Sequence, residues 1–236
     1  MLEIEHLEFR YDGDESSAMQ FDLHVEAGEI LSLIGPSGSG KTTLLNLVAG
    51  FLNNSAGRIL LDGKSIDNLD VGQRPVSIVF QQHNLFPHLD VYTNVALGID
   101  ASLRLSRTQT EAVEQALEQL GLGDLQRRKP GQLSGGQRQR VALARVLVRN
   151  RKILLLDEAF AALGPALRAE LIELVKALVR DNDMTALLVS HQPRDALLAS
   201  ARAAFVYAGR IIALEPTASL LDKSQIPQVR EYLGTV

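Results

Sequence analysis

The chain contains no cysteine, which excludes disulfides, thiolate metal sites and cysteine nucleophiles and fits a protein kept in a reducing compartment. No apolar run reaches the roughly 18 residues that a membrane span requires. The opening MLEIEHLEFRY alternates charge with apolarity instead of forming a signal-peptide core. Any service to a membrane is therefore expected from outside the bilayer. Excess charge is small, with 24 Lys and Arg against 28 Asp and Glu and a formal net charge of −4, so there is no global attraction to nucleic acid or anionic lipid. Internal repeats, low-complexity tracts and flexible linkers are missing as well. What remains is ordinary globular composition, 46% apolar and 22% charged, and a length of 236 residues that suits one α/β domain with a full core.

Alternation in Leu2 to Phe9 and in Phe21 to Val25 predicts amphipathic strands, and Arg58 to Ile66 carries Asp62-Gly63, a dipeptide that tight hairpins favour. The first portion is thus expected to be antiparallel. From Ile30 the pattern changes to short, wholly apolar runs: ILSLIG, Val76 to Phe80, Ile153 to Leu156 and Ala186 to Val189. Such runs suit strands buried on both faces of a parallel sheet. Between the second and third of them lies a long helical excursion, about 84–150. Within it Ser106 can cap a helix whose Val113, Ala116, Leu117 and Leu120 share a face, before Gly121 and Gly123 end it. We read that excursion as a lobe inserted in a single domain spanning 1–236. Further helices are expected at about 165–180 and 193–200, opened by Pro165 and Pro193, and a hairpin from Ala203 to Leu214 turning near Gly209 closes the pattern.

Three segments carry chemistry. Gly35, Pro36, Ser37, Gly38, Ser39, Gly40, Lys41 and Thr42 match the phosphate-binding loop, placed after a buried strand and before the helical run TTLLNLVAG. The glycines let backbone N–H groups turn inward around a β-phosphate, and the helix start adds partial positive charge. Lys41 reaches β and γ oxygens, Thr42 can ligate Mg²⁺, and Thr43 is placed for the α-phosphate. The run from Ile153 to Leu156 then delivers Asp157 and Glu158 at the carboxyl edge of the sheet. Asp157 is suited to the Mg²⁺ shell, and Glu158 to accepting a proton from an attacking water. Finally Leu133, Ser134, Gly135, Gly136 and Gln137 precede the basic helix RQRVALARVLVR, making a second anion site at a helix start. One phosphate loop and two anion sites in one chain imply that the sites face nucleotide from different copies.

Phosphate loop, LSGGQ and LLLLDE in this order and spacing resemble the ATPase subunits of ABC transporters over essentially the whole chain. The resemblance implies a RecA-like P-loop NTPase core with an antiparallel β subdomain and an inserted α-helical subdomain, using ATP and Mg²⁺. It places Tyr11 against adenine, Gln81 on Mg²⁺ and the attacking water, and His191 on the γ-phosphate and on Glu158. It implies a homodimer in which Ser134, Gly135, Gly136 and Gln137 close over the opposite subunit's ATP. Also implied are integral-membrane permease partners, docked near His83 to Leu89 unless Leu85, Phe86 and Leu89 simply fill the lobe's core. A solute-binding protein outside the membrane would act indirectly, no nucleic acid is involved, and the site of action is the cytoplasmic face of the inner membrane.

Exporters usually fuse the ATPase to membrane helices, which this sequence lacks, so it resembles the importers. Among them RPVSIVFQQHNLFPHLDVYTNVALGIDASLRLS, NLVAGFL and the GPALR that follows ILLLDE look most like the ATPase subunit of bacterial thiamine importers; ferric, sulfate, polyamine and molybdate systems share most of these residues. A soluble relative acting on nucleic acid or ribosomes would carry paired cassettes or coiled-coil insertions, and neither is present. A non-hydrolysing sensor would be expected to lack Glu158, Gln81 or His191. The departure from the pattern is Ala159 to Gly164, where the family usually reads Glu-Pro-Phe-Ser-Ala-Leu-Asp across 158–164. Gly164 replaces the aspartate that crosses to the partner's site, so hydrolysis is expected to persist with looser coupling between sites.

Overall fold

A computed structural model describes residues 1–11, 18–80 and 84–234. The opening alternation becomes β1 (Leu2–Phe9) and β2 (Met19–Val25), paired antiparallel. Simple alternation fails once. Leu2 and Ile4 are buried on one parity and Leu7 and Phe9 on the other, because the register shifts between Ile4 and Leu7 with His6 at φ 46°. This bulge returns the apolar side chains to the core face. β3 (Ile30–Ile34) leads through the glycine loop into α1 (Lys41–Ala49), followed by β4 (Ala56–Leu61) and the short β5 (Lys64–Ser65). The turn joining β4 to β5 has both Asp62 and Gly63 at positive φ, 50° and 73°, the geometry expected of an Asp-Gly hairpin.

β6 (Val76–Phe80) precedes the helical excursion, made of α2 (Val91–Ala96), α3 (Arg107–Gln119), two 3₁₀ turns and α4 (Gly135–Arg149). Ser106 caps α3 through a full capping box with Gln109. The chain then forms β7 (Ile153–Asp157), α5 (Pro165–Asp181), β8 (Thr185–Val189) and α6 (Pro193–Ala199). The hairpin β9 (Arg202–Tyr207) and β10 (Arg210–Pro216) follows, with Ala208 and Gly209 at its turn. Two short helices that the sequence reading passed over, α7 (Thr217–Asp222) and α8 (Pro227–Leu233), complete the described chain.

Among the described residues, ten strands join one sheet, in the order β5-β4-β1-β2-β10-β9-β3-β8-β7-β6. From β9 to β6 the neighbours are parallel, whereas β1, β2, β4 and β5 pair antiparallel; β10 links the two regions through the pairing of Arg210 with Gln20. The uninterrupted apolar runs serve two cores at once. In β7, Ile153 and Leu155 pack with α1 and the antiparallel strands, while Leu154 and Leu156 pack with α4, α5 and the helical excursion. Truncating any of these four fully buried side chains to Ala should cost about 2–5 kcal/mol. A third, smaller core seats α7 and α8 against Ile34 and Phe205.

Arg74 is a structural device without a sequence signature. Only 2% exposed, it donates from Nη1 to the carbonyls of Leu47 and Val48 at 2.7 and 3.0 Å, and it also reaches Asp67 and Leu69 carbonyls. It thus gives the Val48 carbonyl a partner at the end of α1 and adds a second one to that of Leu47, which also accepts from the Gly50 N–H. No helix among the described residues is long and apolar enough to cross a membrane.

Candidate functional site

The loop between β3 and α1 wraps its own lysine. Gly35, Gly38 and Gly40 sit at φ 142°, 75° and 106°, and a Cβ on Gly35 would lie 2.1 Å from the Val206 carbonyl oxygen. Only glycine meets both demands. Lys41 is buried, and its ammonium donates to the carbonyls of Gly35 (2.9 Å) and Pro36 (2.7 Å) and to Ser39 Oγ (3.2 Å). Burial pulls its pKa down, opposed by the charges of Glu158 and Asp157. Pro36, Ser37 and Gly38 are left on the accessible rim of this turn.

β7 ends beside that loop. Thr42 donates to Asp157 Oδ1 at 3.4 Å. Burial and, after it, the neighbouring charge of Glu158 push the Asp157 carboxyl above its ordinary range. Two acids one residue apart, faced by a buried lysine, make a site that demands further positive charge. Glu158 has φ 51°, a left-handed conformation uncommon for a residue with a side chain. Its N–H donates to the Val189 carbonyl, and Oε1 lies 2.6 Å from His191 Nε2. The backbone is therefore bent to present this carboxylate to the histidine that follows β8.

Tyr11, 43% exposed, shares a hydrogen bond between its hydroxyl and that of Thr43 at 3.0 Å, and its ring meets Phe9 edge-on at 4.7 Å. That pairing leaves an aromatic surface at the rim of the phosphate loop. Gln81 lies outside the described residues.

Ser134 to Gln137 form the other turn. Ser134 Oγ accepts from the Gln137 N–H at 3.2 Å while Gln137 Oε1 accepts from the Ser134 N–H at 2.9 Å, a capping box at the start of α4. Ser134 is exposed, Gly135 and Gln137 are half-buried, and Gly136 is buried where a Cβ would come within 2.7 Å of the Leu167 side chain. Among the described residues no hydrogen bond joins this turn to the phosphate loop of its own chain. The structure thus brings Tyr11, Lys41, Thr42, Thr43, Asp157, Glu158 and His191 together and holds Ser134 to Gln137 on a separate, accessible helix start.

Other functional candidates escaped the sequence reading. Asn94, fully buried, donates to the carbonyls of Phe86, Leu89 and Asp90 and accepts from the Phe86 N–H and from Arg145. It shapes the segment after β6, where Leu85 packs on the lobe core but Phe86 stays exposed beneath the Arg145 guanidinium. A cleft runs beside it between Phe51, Val71 and Phe80 on the sheet side and Arg145 and Arg149 on α4. Tyr232 of α8 donates to the His191 carbonyl at 3.4 Å. A buried asparagine can be suspected from an isolated Asn in an apolar helix, but neither Arg145 nor Tyr232 carries a local signal.

The ABC transporter family matches residues 18–161. A thiamine import ATP-binding protein, ThiQ of Chelativorans sp. (strain BNC1), is 49% identical over 234 residues, 99% of this chain and 94% of the relative. Among solved structures, a nucleotide-free ATP-binding cassette from an ABC transporter superposes with a TM-score of 0.85 at 26% identity, covering 98% of each chain. The dimeric post-hydrolysis cassette MJ0796, bound to ADP and Pi, does so with a TM-score of 0.77 at 29% identity over 92% of this chain and 99% of that one.

Proposed function

This chain belongs to the ABC transporter family, and from that premise we propose that it is the ATP-hydrolysing subunit of a thiamine importer. It works as a homodimer on the cytoplasmic face of the inner membrane. The observation that carries the hydrolytic part is the 2.6 Å contact of His191 with Glu158 beside the buried Lys41. The likeness to ThiQ along nearly the full length supports the cargo.

Two copies stand head to tail. Each ATP is held by the phosphate loop, Lys41 and Thr42 of one copy and by Ser134, Gly135, Gly136 and Gln137 of the other, while Tyr11 stacks on adenine. Lys41 neutralises β and γ oxygens. Glu158 accepts the proton of the attacking water, and His191 fixes the carboxylate and reaches the γ-phosphate; general-base action of this kind is worth about 10²- to 10⁴-fold. Thr42 and Asp157 offer hard oxygen donors suited to Mg²⁺. With Gln81, which lies outside the described residues, they are the side chains that would hold the ion. A Mg²⁺ held there would supply positive charge against the triphosphate.

The cleft between Phe51 and Arg149 has apolar walls and two cations. It suits a short helix of a permease, so that closure of the two copies moves the membrane subunits. A solute-binding protein then delivers the cargo from the far side.

The test is reconstitution of this chain in proteoliposomes with the permease and solute-binding protein encoded beside it. Thiamine should stimulate ATP turnover. Stimulation by sulfate, ferric iron or a polyamine in its place would reject the cargo alone. In the same system Glu158→Gln should bind ATP, lose turnover by about 10²- to 10⁴-fold and accumulate as a dimer with Mg-ATP on size exclusion; normal turnover would reject the role of Glu158.

A further inference from the structure

Arg168 stands in the first turn of α5, outside the constellation described above, and is 8% exposed. From Nη2 it donates to the Leu163 carbonyl at 3.0 Å and the Ala161 carbonyl at 3.4 Å. From Nη1 it donates to Gln192 Oε1 and, at 3.4 Å, to Asp195 Oδ1. Asp195, 3% exposed, accepts from Ser190 Oγ at 2.7 Å through its other oxygen, and Ser190 Oγ accepts from the Gln192 N–H at 3.1 Å. His191 is therefore bracketed by two residues, the buried Ser190 and the exposed Gln192, that belong to one network.

That network is a poor device for stability alone. It buries an ion pair, which is often no more stable than apolar residues of the same shape. Arg168 Nε is buried without a hydrogen-bond partner in the structure, which adds to the cost of the pair. What the network does have is reach. One end grips the 161–164 segment, which leads into Gly164, and the other fixes the residues on either side of His191. Glu158 lies between them, at the head of the first segment and in contact with His191. The second turn of the site is attached to the same frame, because Gly135 and Gly136 pack on Leu163 and Leu167, to either side of Gly164 and ahead of Arg168.

We propose that Arg168, through Asp195 and Ser190, is a positioning residue that makes the 161–164 segment and the His191 segment move as one piece. Displacement of the first by a second copy of the chain thereby shifts His191 relative to Glu158, away from or further into the 2.6 Å contact that the single chain already makes. The inference rests on the reading of Glu158 and His191 as the hydrolytic pair. It assigns to Arg168 the link between subunit contact and catalysis in a chain whose Gly164 brings no carboxylate to that contact.

The test compares Asp195→Asn, which keeps the shape and loses the charge, with Arg168→Gln and with the double variant, in the transporter complex. Misplacement of a reacting group by about 1 Å can cost on the order of 10²-fold. Each single variant should accordingly lower kcat by about tenfold to a hundredfold, with KM for ATP changed less than about twofold. The double variant should be no worse than the poorer single one, as expected of residues that act as a unit. In the Glu158→Gln background, ATP-driven dimerisation should survive both changes. An unchanged kcat, or losses that multiply in the double variant, would overturn the proposal, as would a fall confined to thermal stability. If Arg168→Gln does not fold, Ser190→Ala replaces it with the same expectations. Failure of the underlying reading is distinguishable, since it would show as full turnover in Glu158→Gln alone.

Discussion

At the start of α1 the chain holds a buried lysine on three oxygens inside a loop whose glycines occupy conformations closed to other residues. At the start of α4 it presents an exposed serine whose bonds are spent on capping its own helix. Both turns are rich in glycine, but for different reasons. Gly35, Gly38 and Gly40 are required by positive φ, while Gly136 is required by its close approach to Leu167. The first turn holds a buried positive charge whose three donors are spent on loop oxygens and have to be exchanged for those of an incoming anion. The second is complete without a ligand and available from outside. In the proposed dimer, a site divided in this way would bind nucleotide on one chain and gain its second wall by assembly.

Two alanine substitutions break the comparison most sharply. Gly35→Ala would drive a methyl into the Val206 carbonyl and force alanine to φ 142°, a strain of about 1–3 kcal/mol before the clash is counted. Loss of measurable ATP binding and a clearly lower melting temperature are expected. Gly136→Ala meets the end of the Leu167 side chain, from its branch carbon outward, and no backbone; overpacking of about 1–3 kcal/mol is offset by roughly 1 kcal/mol of helix propensity. ATP titration of that variant should match the parent protein while turnover falls. Equal loss of binding in both would mean that the two turns serve nucleotide within one chain.

A smaller effect separates the turns by pH. Asp157 has its pKa raised by burial and by Glu158, so the folded protein prefers it protonated. The favourable contribution is present at acid pH and is lost as pH rises through the raised value. Asp157→Asn should therefore melt above the parent at pH 7, with the gap closing toward pH 4, although its Mg-ATP turnover collapses. Ser134→Ala removes an N-cap worth about 1 kcal/mol and should melt below the parent by the same margin at both pH values. A pH-independent Asp157→Asn difference would remove the electrostatic account of that side.

The first turn was the easier to read in the sequence because its chemistry is local. Glycine spacing dictates loop geometry, and apolar runs such as ILSLI and ILLLD report strands covered on both faces. Asp62-Gly63 announced its hairpin for the same reason. The devices that position the site are encoded at long range. Arg74 serves carbonyls 26 and 27 residues away, and Arg168 meets Asp195 across 27. A buried arginine in a helical or turn segment has the same local neighbourhood as a solvated one, so nothing marked them. The shift at His6 was legible, since the apolar residues change parity between Ile4 and Leu7 within the segment itself, which strict alternation does not describe. α7, at 6 residues, is too short for a helical period to stand out, whereas α8 opens on Pro227 as α6 does on Pro193 and carried the same signal.

Gly164 supplies the finest test of the division between chains. It is the N-cap of α5 at φ −66° and ψ 158°, an extended backbone open to any residue, and nothing lies within 4 Å of a Cβ added there. Glycine is therefore not demanded by the fold, and looseness of this backbone is not needed to account for it. An aspartate at this position could accept from an N–H of the first turn of α5 and face the positive end of the helix. Because glycine is only a few tenths of a kcal/mol worse than aspartate as a cap, Gly164→Asp should raise the melting temperature by no more than about 1 °C. The same carboxylate would project toward the face that a second copy must meet. ATP cooperativity in Gly164→Asp should thus exceed that of the parent with intrinsic ATP affinity unchanged. Identical cooperativity would mean that coupling between the two copies passes through the backbone gripped by Arg168, with no need of a side chain at 164.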